Sequence, residues 1–416
     1  MGLDKVVPEL SNQLEAAYRG DITKIPNPLG EKMTKVFSLL PSRYTLIGGS
    51  TGSGKTSLTD FMYVLQPFHF IRGANLEKDT NIHWEVNYFS LERKQMFKHA
   101  KWISWFIYAD YGLKIPADRI LGWEGDPLTE ELYKMVKGYW KIIDELLEHV
   151  TIYDGKVGID VIEDLVRDRA IALGDFYHTT SDGLYLNDNP IPKKTFEEHG
   201  IEVKTKVGTH LVLEYEHKGE TYRLKKHTHK YFLHNPKTFV YFIIDGIGLL
   251  GGSNFSDKKS SIDRVSEILS DARDKFGFSP VIVTQFNRSI GDTARHKHHG
   301  NDLSPQLEDF QGSSQTSHDA DLVLAIFDPY RYKAYDKAGQ YGDYNITQGT
   351  MSPQGFSRFR SLHILKNSFG IDGKKFGMLF VGESNHFQVL PNLGTKELWQ
   401  NLYYTWARVG PVNPQH

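Results

Sequence analysis

The sequence has no cysteine. That excludes disulfides, thiol nucleophiles and cysteine-ligated zinc, and it leans toward a reducing compartment. It has no apolar run near the ~18 residues that a membrane-crossing helix needs. The opening stretch, MGLDKVVPELSNQL, mixes charged with apolar residues, unlike a secretory leader. The expected location is therefore the cytoplasm, with no membrane partner. Neither sign of charge dominates: 49 basic residues face 51 acidic ones, for a net charge of −2. Any nucleic-acid contact must then come from a local patch. There is no internal repeat.

What is present suits a large core. Hydrophobic residues make up 39% of the 416 positions. That length fits two or three domains, or one large α/β domain carrying an insertion. Residues 5–19 predict a short amphipathic helix, with Val6, Leu10, Leu14 and Ala17 near one face. The Gly- and Pro-punctuated GDITKIPNPLGEK predicts a linker. Apolar strands are predicted at 44–49, 86–92, 150–154, 238–245, 280–286, 320–328 and 361–367, with 374–382 as the last. Helices are predicted at 55–65, 94–111, 128–148, 161–173 and 261–277. On 94–111 the main apolar residues are Met96, Phe97, Ala100, Ile103, Trp105 and Ile107. Thr129 is the expected N-cap of 128–148, followed by Glu130 and Glu131 at the positive end of the helix dipole. Strands alternating with helices predict a mostly parallel α/β sheet. Residues 175–235 alternate apolar and polar between Gly and Asn turns, which predicts a β-rich hairpin insertion. The expected organisation is an N-terminal helix and linker in 1–27, a core in 28–174 and 236–416, and the insertion in 175–235.

The chemistry begins at IGGSTGSGKTSL. Gly49, Ser50, Thr51, Gly52, Ser53, Gly54, Lys55 and Thr56 fit G-x-x-x-x-G-K-[ST], with Ser57 following. Glycines let successive N–H groups turn toward one anion, and the helix N-terminus adds its partial positive charge. Lys55 is expected to reach the terminal phosphates of ATP, and the Thr56 hydroxyl to bind Mg²⁺. A strand precedes the motif and a helix follows, which is the context it requires. A phosphate loop also needs a metal-positioning acid. Asp245 ends the buried run Phe239–Ile244, at the carboxyl edge where ligands of open α/β sheets sit. Glu92 ends VNYFSLE and has two readings, a water-activating carboxylate or an ordinary acid at the start of a helix.

The order of GSGKTS, YFSLE, a strand ending in Asp245, VIVTQFNR, LEDFQGSSQTSHDADLVL and HILKNSFG resembles the RecA-like ATPase domain of DnaB-type replicative helicases, which include many bacteriophage ring helicases. The resemblance covers roughly 28–174 and 236–390. It implies a hexameric ring that hydrolyses ATP with Mg²⁺ and moves on single-stranded DNA, in a host's cytoplasm if the protein is viral. Glu92 matches the catalytic base, Asp245 the second metal-site acid, and Gln285 the γ-phosphate sensor, with Arg288 in the same segment. Gln311, Gly312, Ser313 and Ser314 match the loop that grips DNA. Lys366 matches the lysine of the K-x-R hairpin that enters the neighbouring subunit's site. The helix at 5–19 matches the linker helix that closes the ring.

Two positions depart from the pattern. Ser368 stands where the arginine finger is expected, so another cation (Lys374, Lys375 or Arg360) must substitute, or hydrolysis is slow or differently regulated. Gln311 stands where arginine is frequent, which lowers the expected salt dependence of DNA binding. Residues 294–301, ARHKHHGN, are either a second DNA contact or a charged surface loop. RLKKHTHK, 223–230, is expected to be a solvated strand face on which Lys225, His227 and His229 alternate. The spacing of His227, His229 and His234 does not support a metal site. Two other functions fit the residues. One is a RecA-fold DNA-binding ATPase without unwinding activity (recombinase-like, loader or packaging factor). The other is a nucleotide-dependent scaffold that binds a replication partner through the insertion.

Overall fold

The computed structural model describes Tyr18 and residues 25–78, 81–123, 127–179, 184–190, 203–207, 210–217, 220–225, 229–250, 258–291, 303–311, 314–342, 344–347, 355 and 357–390. The expected helix at 5–19, apart from Tyr18, and the 294–301 cluster lie outside the described residues.

The strands, in chain order, are β1 (Thr45–Gly49), β2 (His83–Ser90), β3 (Val150–Asp154), β4 (Gly174–Thr179), β5 (Leu184–Leu186), β6 (Asn189–Pro190), β7 (Val203–Val207), β8 (His210–His217), β9 (Glu220–Lys225), β10 (His229–Leu233), β11 (Thr238–Asp245), β12 (Ser279–Gln285), β13 (Leu322–Phe327), β14 (Gln340–Tyr341), β15 (Tyr344–Asn345), β16 (Phe359–Asn367), β17 (Lys375–Val381) and β18 (His386–Val389). Nine of them form the central sheet, in the order β18-β17-β16-β13-β1-β12-β11-β2-β3. From β13 to β3 every pairing is parallel, and β16, β17 and β18 add an antiparallel edge.

The parallel strands are apolar on both faces because helices cover both. β11 shows why. Phe239, Tyr241 and Ile243 enter one core cluster, while Val240, Phe242 and Ile244 enter the other. Period-two geometry sends neighbours to opposite faces, so a continuous apolar run serves two cores. The first core packs under the helix that starts at α1 (Lys55–Asp60) and under α2 (Gln95–Tyr111). The second packs under α3 (Ile159–Leu173) and α4 (Lys258–Phe276). The helix after the phosphate loop runs further than expected, through a π turn at Phe61–Leu65 into Gln66–Lys78.

The insertion folds as expected for hairpins but forms two sheets, β10-β4-β5-β6 and β7-β8-β9. Tyr231 seats the first against the core by stacking edge-on to Phe276 and donating to the Ala170 carbonyl at 2.9 Å.

Four expectations need correction. The stretch 128–148 is two helices, Glu130–Gly138 and Trp140–Leu147, broken at Tyr139 directly after a glycine, whose helix propensity is poor. Thr129 does cap the first of them, accepting from the Leu132 N–H at 3.3 Å. The expected linker is packed structure from Ile25 onward: Ile25 bridges Leu39, and Leu29 and Met33 are buried. The run at 374–382 is not the last strand, because β18 follows it through a tight turn at Asn385. Met96 is 53% exposed, while Lys98 on the same helix is 1% exposed.

Candidate active site

β1 lies in the middle of the sheet, between β12 and β13, so its carboxyl end opens where strands diverge to either side. The loop after it turns with Gly52 at φ +76° and Gly54 at φ +99°, conformations that glycine adopts without strain. Lys55 bends back to donate to the Ser50 carbonyl at 3.0 Å. Burial lowers its pKa, opposed by the charges of Glu92 and Asp245. Upstream, a Cβ at Gly48 would meet the Phe310 ring at 2.2 Å. Gly48→Ala is therefore expected to push Phe310 off β1 at a cost of about 1–3 kcal/mol. Denaturant unfolding checks this, and an unchanged midpoint would contradict the close packing.

Asp245, on β11, is 5% exposed. Its Oδ1 accepts from the Thr56 hydroxyl at 3.2 Å, and its Oδ2 from the Tyr88 hydroxyl at 3.3 Å. Burial raises its pKa, opposed first by Lys98. Sequence reasoning missed Lys98. Its amine sits 2.9 Å from Asp60 Oδ1, 3.9 Å from Asp245 Oδ2 and 3.6 Å from the centre of the Tyr88 ring. Trp102 Nε1 completes the cluster by donating to Asp60 Oδ2 at 3.2 Å.

Glu92 does not end a strand. β2 stops at Ser90, and Glu92 lies two residues beyond, exposed to the cleft. Leu91 N–H donates to the Asp245 carbonyl at 3.1 Å, and a Cβ at Gly246 would meet Glu92 Cγ at 2.9 Å. The glycine after Asp245 thus makes room for Glu92. Gln285, at the end of β12, donates from Nε2 to Glu92 Oε1 at 3.5 Å, and its Oε1 accepts from the Thr51 hydroxyl at 3.4 Å. Its own carbonyl accepts from Gln311 N–H at 2.7 Å, and Thr284 donates to the Gln311 carbonyl at 2.7 Å.

The remaining expected site residues fall further out. Arg288 opens a 3-10 turn, Arg288–Gly291, and Ser314 opens the short helix Ser314–Asp319; the side chains of both lie outside the described residues. Gly312, Ser313 and His227 also lie outside them. Lys366 donates within its own chain, to the carbonyls of His318 at 2.8 Å and Ser317 at 3.2 Å. Ser368 is exposed. Arg360 is a scaffold cation, 6% exposed. It donates to the Ser53 carbonyl at 3.0 Å and pairs with Asp328 at 3.2 Å. A residue so committed inside the chain does not reach a neighbour. Arg331 also reaches the loop, at the Thr51 carbonyl. Asn385, 328 positions beyond Ser57, accepts from the Ser57 hydroxyl at 2.7 Å. No spacing rule in the sequence points to it.

These groups line one cleft of about 530 Å³. The residues fit a nucleoside triphosphate. The hydroxyl oxygens of Ser50 and Ser53 are buried without a hydrogen-bond partner, and a buried polar group of that kind calls for one. They also fit Mg²⁺, which takes few protein oxygens and completes its shell with water and phosphate. The oxygens of Thr56 and Asp245 are such a pair.

Sheet order, phosphate loop and carboxyl-edge acids together define a RecA-like P-loop α/β fold. No protein-family model and no curated protein matches the sequence. Among solved structures, the chain is similar to the ATPase domain of a phage helicase, with a TM-score of 0.56 and 15% identity over 94% of this chain and 99% of that one. It is also similar to a DnaB-like replicative helicase described with its interactions with primase, with a TM-score of 0.55 and 16% identity over 94% of this chain and 69% of that one. The fold is thus that of DnaB-like helicase ATPase domains.

Proposed function

We propose that this chain hydrolyses ATP to move along single-stranded DNA as a subunit of a hexameric ring, in the manner of DnaB-like replicative helicases. The observation that carries this reading is the convergence of Thr56, Asp245, Glu92 and Gln285 on the phosphate loop, with Gln285 also bonded to Gln311. Lys55 and the loop N–H groups, from Gly49 to Ser57, hold the phosphates. Mg²⁺ bound at Thr56 and Asp245 neutralises phosphate charge. Glu92 takes the proton of the attacking water, and Gln285 carries the state of the site to 311–314, with Arg288 beside it. Lys366 serves the subunit interface once it leaves the 317–318 carbonyls.

In this reading 1–27 closes the ring, 28–174 and 236–416 form the motor, and 175–235 receives a replication partner. The setting is the cytoplasm, a host's if the protein is viral. The test is the ATP turnover rate of the full chain with and without single-stranded DNA, read beside its mass in solution. Expected are DNA-stimulated turnover and a ring with nucleotide. A monomer with ATP and DNA, whose turnover ignores DNA, would favour a RecA-fold ATPase that binds DNA without unwinding. Exposed Ser368, in place of an arginine, is the observation on that side.

A further inference from the structure

Lys101 lies one turn beyond Lys98 on α2 and lines the same cleft as Lys55 and Glu92. Its situation differs from that of Lys98. Among the described residues no carboxylate lies within ion-pair distance of its amine, whose nearest described contact is the Phe97 ring at 5.3 Å. Burial lowers its pKa. A half-buried cation without a counter-charge is costly, and an incoming anion offsets that cost. The charged groups of the cleft wall favour an anion as well: Lys55, Arg93 and Lys101 outnumber Glu92 and Asp245.

The main chain fixes where in the cleft Lys101 acts. Asn385 donates from Nδ2 to the Lys101 carbonyl at 3.4 Å and accepts from the Ser57 hydroxyl at 2.7 Å. Lys101 is thereby tied to the Ser57 side of the loop, whereas Gln285 and Glu92 meet at the Thr51 side. We propose that Lys101 is a second phosphate-binding lysine, placed on the phosphates nearer the nucleoside and so engaged by nucleoside di- and triphosphates alike. This rests on the nucleotide-hydrolysing reading above. It also supplies, within the subunit, positive charge that Ser368 does not bring from a neighbour.

The test is calorimetric binding of ADP and of a non-hydrolysable ATP analogue, each with Mg²⁺, to the full chain and to Lys101→Met, Lys101→Gln and Lys101→Arg. Losing one charge-assisted contact should weaken both ligands by about tenfold or more in Met and Gln. Arg should recover most of that loss. KM for ATP should rise by a similar factor, with a smaller change in kcat. Met or Gln binding both ligands as tightly as the parent overturns the inference and leaves the nucleotide reading standing. So does a loss confined to the ATP analogue, because it would place Lys101 at the terminal phosphate. If the parent chain binds neither ligand, the nucleotide reading fails first and the inference falls with it.

Discussion

Glu92→Gln is expected to bind ATP as the parent does and to turn it over at least about 100-fold more slowly. A positioned general base contributes roughly 10²–10⁴ in rate, and the amide keeps the size and the hydrogen-bonding reach of the carboxylate while losing its basicity. Glu92 meets the geometric requirements of that role. It stands in the cleft with Lys55 and Thr56, and the Gln285 amide steadies it at 3.5 Å. Single-turnover hydrolysis beside equilibrium nucleotide binding separates the two effects. Near-normal turnover would return Glu92 to the plainer role of an acid before a helix.

The second large effect is expected at Lys98, on stability. Lys98→Met leaves Asp60 and Asp245 buried with no cation between them. Removing one partner of a buried ion pair costs about 3–5 kcal/mol, because the remaining charge is uncompensated. Asp60 is 2% exposed and Asp245 5%, so water cannot screen either. Denaturant midpoints of Lys98→Met, Asp60→Asn and the double variant measure the coupling. The double variant should recover part of the loss. Single-variant losses that simply add would show that the amine and Asp60 do not act together.

Lys98 also shows where the sequence is hard to read. A lysine within the helix 94–111 counts as a solvent position, while Met96 counts as core. The structure reverses the two, because Asp60, 38 positions earlier, supplies a buried counter-charge. That pairing is set by how two helices pack, and no local pattern encodes it. Asn385 is hidden for the same reason. By contrast, the phosphate loop, β11 and Asp245 are legible. Their signals are local: glycines at fixed spacing, and an apolar run that buries both of its faces. Glu92 was legible as a residue but not as a position, since a strand's end depends on which neighbour it pairs with. The insertion's alternation announced hairpins, but not that they divide into two sheets, because the partner of each strand is a tertiary matter.

Gln285 has a mechanical consequence. Its side chain touches Glu92 and Thr51, and its carbonyl holds the Gln311 amide at 2.7 Å. The reaction centre and the loop proposed to hold DNA are thus joined through one residue, with no lever arm between them. Such a linkage transmits displacement at close to unit gain: a small shift at the γ-phosphate becomes a shift of similar size at Gln311. Long strides along a strand would then have to be assembled from differences between subunits around the ring, each in its own nucleotide state, and not from a large swing within any one of them.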